Sequence, residues 1–167
     1  ASASIAQVHK AVLKNGKVVA VKVQRPNIKE IIDADLDILF FIAKQIDKHF
    51  SKWRNFRPVD VVKEFALWTR REINFENEAR NALKLRDATK INPKVKIPKV
   101  YTEYCSKKVL VLEYIDGVKI NDLPALQKFH INKKSLVLTY FTSILQQALI
   151  FGFFHADPHP ANIFVLK

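Results

Sequence analysis

The string "AVLKNGKVVAVKVQRP" restricts the fold of this chain more than any other stretch of it. Asn15-Gly16 between two apolar runs is the strongest short-range hairpin signal, because a tight turn there needs positive φ at its central positions. Val18 to Gln24 then alternates. Val18, Ala20, Lys22 and Gln24 share one face of a strand, and Val19, Val21 and Val23 share the other. With "ASASIAQVHKAVL" ahead of the turn, the pattern predicts two antiparallel strands at the start of a sheet.

Pro26 predicts a helix start at a position where a missing N–H costs nothing. Beyond it Ile28, Ile31, Ile32, Leu39, Ile42, Ala43 and Ile46 recur at helical spacing. A second helix is predicted from Pro58 toward Asp87, with Phe65, Trp68, Phe75, Ala79, Ala82 and Leu83 on one stripe. "VYTEYC" and "KVLVLEYI" read as strands, the latter broken at Asp116-Gly117. An amphipathic helix is predicted from Ser135 to Phe151, and the closing "NIFVL" reads as an apolar run with nothing left to pair it. Strands, helices, strands, helix make an α+β chain, with the sheet in its first half and a mainly helical second half just beginning.

The length of 167 residues fits one domain with a substantial core, and 49% hydrophobic against 26% charged residues is globular rather than disordered. Three glycines and seven prolines leave no room for linkers or low-complexity tracts. A single cysteine, Cys105, forms no intrachain disulfide and favours a reducing compartment. No signal-peptide pattern opens the chain, and "ILFFIA" falls far short of a membrane span, so the expectation is a soluble or peripheral protein on the cytoplasmic or organelle-matrix side. The net charge of +12 points to anionic partners. Nucleic acid is not expected, since no binding motif and no aromatics interleaved with base-reading Arg stand out. An anionic membrane surface is the alternative, with Lys84 to Lys108 as its patch: seven Lys and Arg86 against Asp87 and Glu103.

A strand lysine is ordinarily a solvated edge residue. Lys22, however, shares its face with Ala20 and Val18, which suits a nucleotide: base against the small residues, phosphate against the ammonium. "VAVK" matches the kinase lysine-strand motif. Such a lysine needs a carboxylate. Glu72 and Glu78 lie on the predicted helix, and the stripe puts Glu72 on its packed face, where a bare carboxylate is costly. Glu76 reads as a surface partner of Arg80. Near the end His155, Asp157 and Asn162 stand in the pattern H-x-D-x-x-x-x-N of a kinase catalytic loop. There Asp157 would orient or deprotonate a hydroxyl or water, and Asn162 would hold a metal ion on the phosphates. A metal site of His155, Asp157 and His159 is the rival. Asp33, Asp35 and Asp37 lack the glycine and terminal glutamate of a calcium loop and read as helix surface.

These motifs resemble the UbiB/AarF family of atypical protein-kinase-like proteins. "ASASIAQVH" is similar to that family's alanine-rich loop, "VAVKVQRP" to its lysine strand, "REINFENEARN" to its glutamate helix, "VLVLEYIDG" to its hinge strand and "GFFHADPHPAN" to its catalytic loop. The resemblance implies a protein-kinase-like fold divided into a loop and lysine strand (1–25), a helical insert (26–57), a glutamate helix (58–89), strands and hinge (97–117) and the start of a C-lobe (118–167). It implies Lys22 paired with Glu78, and nucleotide contacts from Ala3, Ser4, Ile5, Ala6 and Ala20. It further implies a hinge of Glu113, Tyr114 and Ile115, Asp157 as catalytic residue and Asn162 on the metal. ATP and Mg²⁺ are the implied cofactors, and ATP hydrolysis or phosphoryl transfer supporting ubiquinone or other isoprenoid-lipid metabolism, with a lipid quinone precursor as partner, is the implied activity.

Two positions depart from the family. Its E-x-D motif reads Glu72-Ile73-Asn74, so one acidic position has lost its charge, and Ala6 stands where many members have glycine. The Asp-Phe-Gly metal motif would follow Asn162, so the chain reads as part of a longer protein. An aminoglycoside- or choline-kinase-like phosphotransferase and a nucleotide-gated lipid-binding scaffold without turnover are the competing expectations.

Overall fold

The computed structural model describes residues 5–155 and 159–166. The first strand, β1 (Ala6–Val12), turns through Leu13–Lys17 into β2 (Val18–Gln24). Gly16 takes φ of 80° at the tip, and the Asn15 side chain accepts from the Lys17 N–H at 3.2 Å, so the Asn-Gly signal has its expected role. β3 (Val109–Glu113) completes an antiparallel sheet in the order β1-β2-β3, which makes β2 the central strand.

Between β2 and β3 stand three helices: α1 (Ile28–His49), α2 (Pro58–Glu72) and α3 (Phe75–Ala88), with a 3-10 turn at Ser51–Phe56. Pro26 lies ahead of α1 rather than in its first turn, because Asn27 caps the helix in the left-handed conformation. The single helix predicted from Pro58 toward Asp87 is two. The chain breaks at Ile73-Asn74, where the Asn74 side chain accepts from the Glu76 N–H at 3.0 Å and starts α3. The break splits the predicted stripe. Phe75 is fully buried, while Phe65 and Trp68 on α2 are more than half exposed.

α3 packs on one face of the sheet, where Ala6, Phe75, Ala79, Val100 and Leu110 form a core. Val19, Tyr101 and Val111 form a second core on the opposite face. Fully burying Phe75 and Leu110 contributes about 2 kcal/mol each. "VYTEYC" is no strand. Val100 makes one bridge to Leu112, and Thr102–Tyr104 then closes a 3-10 turn in which Cys105 N–H reaches Thr102 O at 3.1 Å.

The second half holds β4 (Val118–Lys119), α4 (Leu123–Lys128), α5 (Lys133–Leu149) and β5 (Phe164–Val165). The closing apolar run does find a partner: β5 pairs antiparallel with β4. α5 inverts the expected amphipathicity, burying Ser143 and Gln147 while exposing Val137, Leu138, Phe141 and Leu149. Asn92 and Gln146 link α5 to the segment after α3 at 3.4 Å. No helix among the described residues is long and apolar enough to cross a membrane.

Candidate functional site

The register of the sheet determines which side chains meet. Val8, Lys22 and Leu110 stand side by side across the three strands, as do Lys10, Ala20 and Leu112. Directly opposed residues share a face. Lys22 therefore projects from the central strand on the side that α3 covers, with Ala20, Val8 and Leu112 beside it.

There its ammonium meets both oxygens of Glu78, at 3.0 and 2.7 Å across 56 residues of sequence. The ring of Phe75 lies beneath, with its centre 4.7 Å from Lys22 Nζ. Charge-assisted bonds of this kind are stronger than neutral ones, and the aromatic face adds a favourable quadrupole contact. With Lys22 23% and Glu78 41% exposed, the pair is open enough to meet a ligand, and its value lies in position rather than in stability.

Two residues that the motifs did not single out build this geometry. Phe75 supplies the floor. Its N–H donates to Lys107 O at 3.1 Å, which locks the first turn of α3 to the segment before β3. Gln24, on the same face as Lys22, donates from Nε2 to Ile73 O and, at 3.4 Å, to Lys107 O. It thereby fastens the end of β2 to the helix break. The available signal was alternation, since Gln24 is the next same-face residue after Lys22.

Glu72 does not lie on a packed face. It ends α2 in solvent, because the break at Ile73-Asn74 disconnects its stripe from that of α3. Glu76 does not pair with Arg80, which instead donates to Asn77 Oδ1 at 2.5 Å. Asp33, in α1, meets Arg70 of α2 at 3.0 Å.

Ile5 and Ala6 belong to the core beneath the sheet rather than to an open loop. Ala6 is fully buried and paired with Gln24 in the β1–β2 ladder, so its methyl packs against the core. Ala3 and Ser4 lie outside the described residues. At the hinge, Glu113 N–H donates to Lys99 O at 2.8 Å and Tyr114 N–H to Val18 O at 3.3 Å. No backbone hydrogen bond engages the Ile115 N–H among the described residues. Lys10 Nζ sits 4.2 Å from the centre of the Tyr114 ring and clasps the hinge to β1.

The Glu113 side chain leaves this face. It shares the Val19 side of the sheet, where Lys96 Nζ reaches it at 2.5 Å and the Lys99 N–H at 3.1 Å. Burial pushes its carboxyl up, but those hydrogen bonds and the charges of Lys96 and Arg86 together hold it below the ordinary glutamate value.

The catalytic-loop pattern is pinned at both ends. Gln147 Oε1 accepts the His155 N–H at 3.2 Å, and Gln147 Nε2 donates to Ser143 Oγ at 3.0 Å. At the other end Asn162 closes a 3-10 turn, its N–H reaching His159 O at 2.9 Å. Ile120 N–H then holds Ile163 O at 3.0 Å, continuing the β4–β5 pairing. Asp157, the middle member of the rival metal cluster with His155 and His159, lies outside the described residues.

Comparison with known proteins agrees with this arrangement. Residues 1–167 match the ABC1 atypical kinase-like domain. Among solved structures the chain is similar to Rv3197 of Mycobacterium tuberculosis in its erythromycin complex, with a TM-score of 0.77 and 29% identity. That match covers 99% of this chain and 41% of the Rv3197 chain. The mixed fold, the lysine–glutamate pair beneath the sheet and the match along the whole length lead to one assignment: the chain belongs to the ABC1 atypical kinase-like family.

Proposed function

We propose that the protein is an ATP-binding phosphotransferase or ATPase of the UbiB type, acting at a membrane in ubiquinone or other isoprenoid-lipid metabolism. The observation that carries the nucleotide reading is the Lys22–Glu78 pair on the Ala20 face. An ammonium has three donors, and Glu78 occupies two, which leaves one for a phosphate oxygen. The adenine would lie against Val8, Ala20 and Leu112, with its edge toward the Ile115 N–H.

In this reading Asp157 orients or deprotonates the attacking hydroxyl or water, and Asn162 holds Mg²⁺ with the phosphates. The metal would supply neutralisation of charge developing on the transferred phosphoryl group. The lipid substrate class comes from the UbiB resemblance. Binding without turnover is the second reading, and the erythromycin complex of Rv3197 favours it, since that relative holds a bulky non-nucleotide ligand.

Phosphate release by the natural full-length protein, with and without a lipid quinone precursor, separates the two. Turnover that Asp157→Asn abolishes while nucleotide still binds supports catalysis. Equal release by parent and variant would remove Asp157 from the mechanism, and unchanged nucleotide affinity in Lys22→Ala would remove the nucleotide site itself.

A further inference from the structure

α1 leaves the sheet just after Gln24, and α2 returns to Ile73, whose carbonyl Gln24 holds. The two helices are therefore the sides of an antiparallel arm, tied near its base by Asp33 and Arg70. With 22 residues α1 is about 33 Å long, and the turn at its far end is the tip of the arm.

The tip reads Lys48-His49-Phe50-Ser51-Lys52-Trp53-Arg54-Asn55-Phe56-Arg57. It holds four Lys or Arg, three aromatics and no carboxylate. The aromatics face water: Phe50 is 57%, Trp53 58% and Phe56 69% exposed. Trp53 and Phe56 stand together, with ring centres 5.8 Å apart. The turn that presents them is ordered by its own bonds. Arg54 Nε donates to Asp47 O at 2.9 Å, closing the end of α1, and Trp53 N–H donates to Phe50 O at 2.9 Å. A core role does not explain three outward aromatics on an ordered turn.

We propose that this tip is a contact for an anionic lipid surface. Trp and other large apolar side chains settle at the headgroup boundary, and Lys and Arg beside them are drawn to anionic headgroups. The tip combines both within ten residues, at the end of the α1–α2 pair remote in sequence from the contact between Gln24 and Ile73. The Lys84–Lys108 segment is the weaker patch. Its Lys90 and Lys96 are paired with Asp87 and Glu113, and its Tyr101 is buried. The tip's interleaving of aromatics and cations also corrects the reading of the charge, in which no such interleaving stood out. The proposal rests on the membrane setting of the proposed function and not on its nucleotide chemistry.

The test is co-sedimentation of the natural full-length protein, without nucleotide, with phosphatidylcholine vesicles and with equal-part phosphatidylcholine–phosphatidylglycerol vesicles. The parent should bind only the anionic vesicles and release as salt rises. Trp53→Ser/Phe56→Ser and Lys48→Gln/Lys52→Gln should each weaken binding by about tenfold or more, because both contributions are needed. All four side chains are exposed, so nucleotide affinity should match the parent in both variants and report that the fold is intact. Loss of phosphate release in the parent would overturn the proposed function and leave this contact standing. Failure of the parent to bind, or variants that bind as the parent does, would overturn the contact. So would a parent that ignores vesicles and binds single-stranded RNA through the same aromatics.

Discussion

Gln24 donates its side-chain amide to the carbonyl of Ile73, joining the end of the lysine strand to the break between α2 and α3. Two residues after Lys22 and five before Glu78, this contact sets the distance across which the ion pair closes. Gln24→Ala should therefore cost about 1 kcal/mol of stability, the usual net worth of one hydrogen bond. It should also weaken nucleotide binding, since α3 loses its tether. Denaturant melts and calorimetric titration of the same preparation check the two effects. A variant with parental affinity would show that α3 holds its place without the tether.

Gln147 is buried in α5 and accepts the His155 N–H while donating to Ser143. Gln147→Leu keeps the volume but leaves that N–H without its acceptor, at about 1–3 kcal/mol. Turnover should fall more than nucleotide affinity, because the loop carrying Asp157 starts at His155. Gln147→Glu, which keeps an acceptor, should retain more activity than the leucine variant. The ratio of kcat to affinity across the pair is the measurement.

Gly117 allows β4 and β5 to approach. A Cβ there would lie 2.8 Å from Val165 O, a backbone atom that has no way to swing aside. Gly117→Ala should separate the two strands and destabilise the protein by about 1–3 kcal/mol, as overpacking does. Amide exchange at Ile120, whose N–H holds Ile163 O beside the same pairing, should accelerate. Parental protection at Ile120 would mean that the strands absorb the methyl.

Glu113 supplies a pH dependence whose sign is fixed. Its carboxyl lies below the ordinary value of 4.5 in the folded chain, so the fold binds fewer protons there than the unfolded chain does. That contribution is complete above the unfolded pKa and is lost as pH falls through the lower folded one. Both partners keep solvent contact, so the amount is below about 1 kcal/mol. Glu113→Gln should lower stability at neutral pH by up to about that amount, flatten the limb below pH 4.5 and converge on the parent at the acid end. Thermal melts from pH 3 upward, in steps of about half a unit, would show it.

Where one period governs a segment, the sequence was transparent. The β1–β2 hairpin, the body of α1 and the start of α2 at Pro58 follow from alternation, helical spacing and an N1 proline. Lys22 was visible because its neighbours on the face are small. Local competition hid the rest. Ile73-Asn74 carries no glycine or proline, so the helical period ran through the break, and Glu72 was assigned to a packed face that does not exist. "VYTEYC" alternates like a strand, but Val100 makes only a single bridge before the turn takes over. Gln24, Phe75 and Gln147 were not singled out because each works through a backbone group or ring brought near only by the fold. Ala6 was assigned to a phosphate loop by its motif, whereas its burial depends on α3 arriving from far along the chain.

Asn74 has a meaning of its own for descent. The position works as a helix cap, asking its side chain for an acceptor oxygen, and asparagine and aspartate answer that demand about equally. A lineage can therefore exchange one for the other in either direction without disturbing the start of α3. An aspartate would add only a modest attraction to the helix N-terminus. At the start of α3 the missing charge therefore costs the fold little, since the cap needs an acceptor oxygen and not a carboxylate.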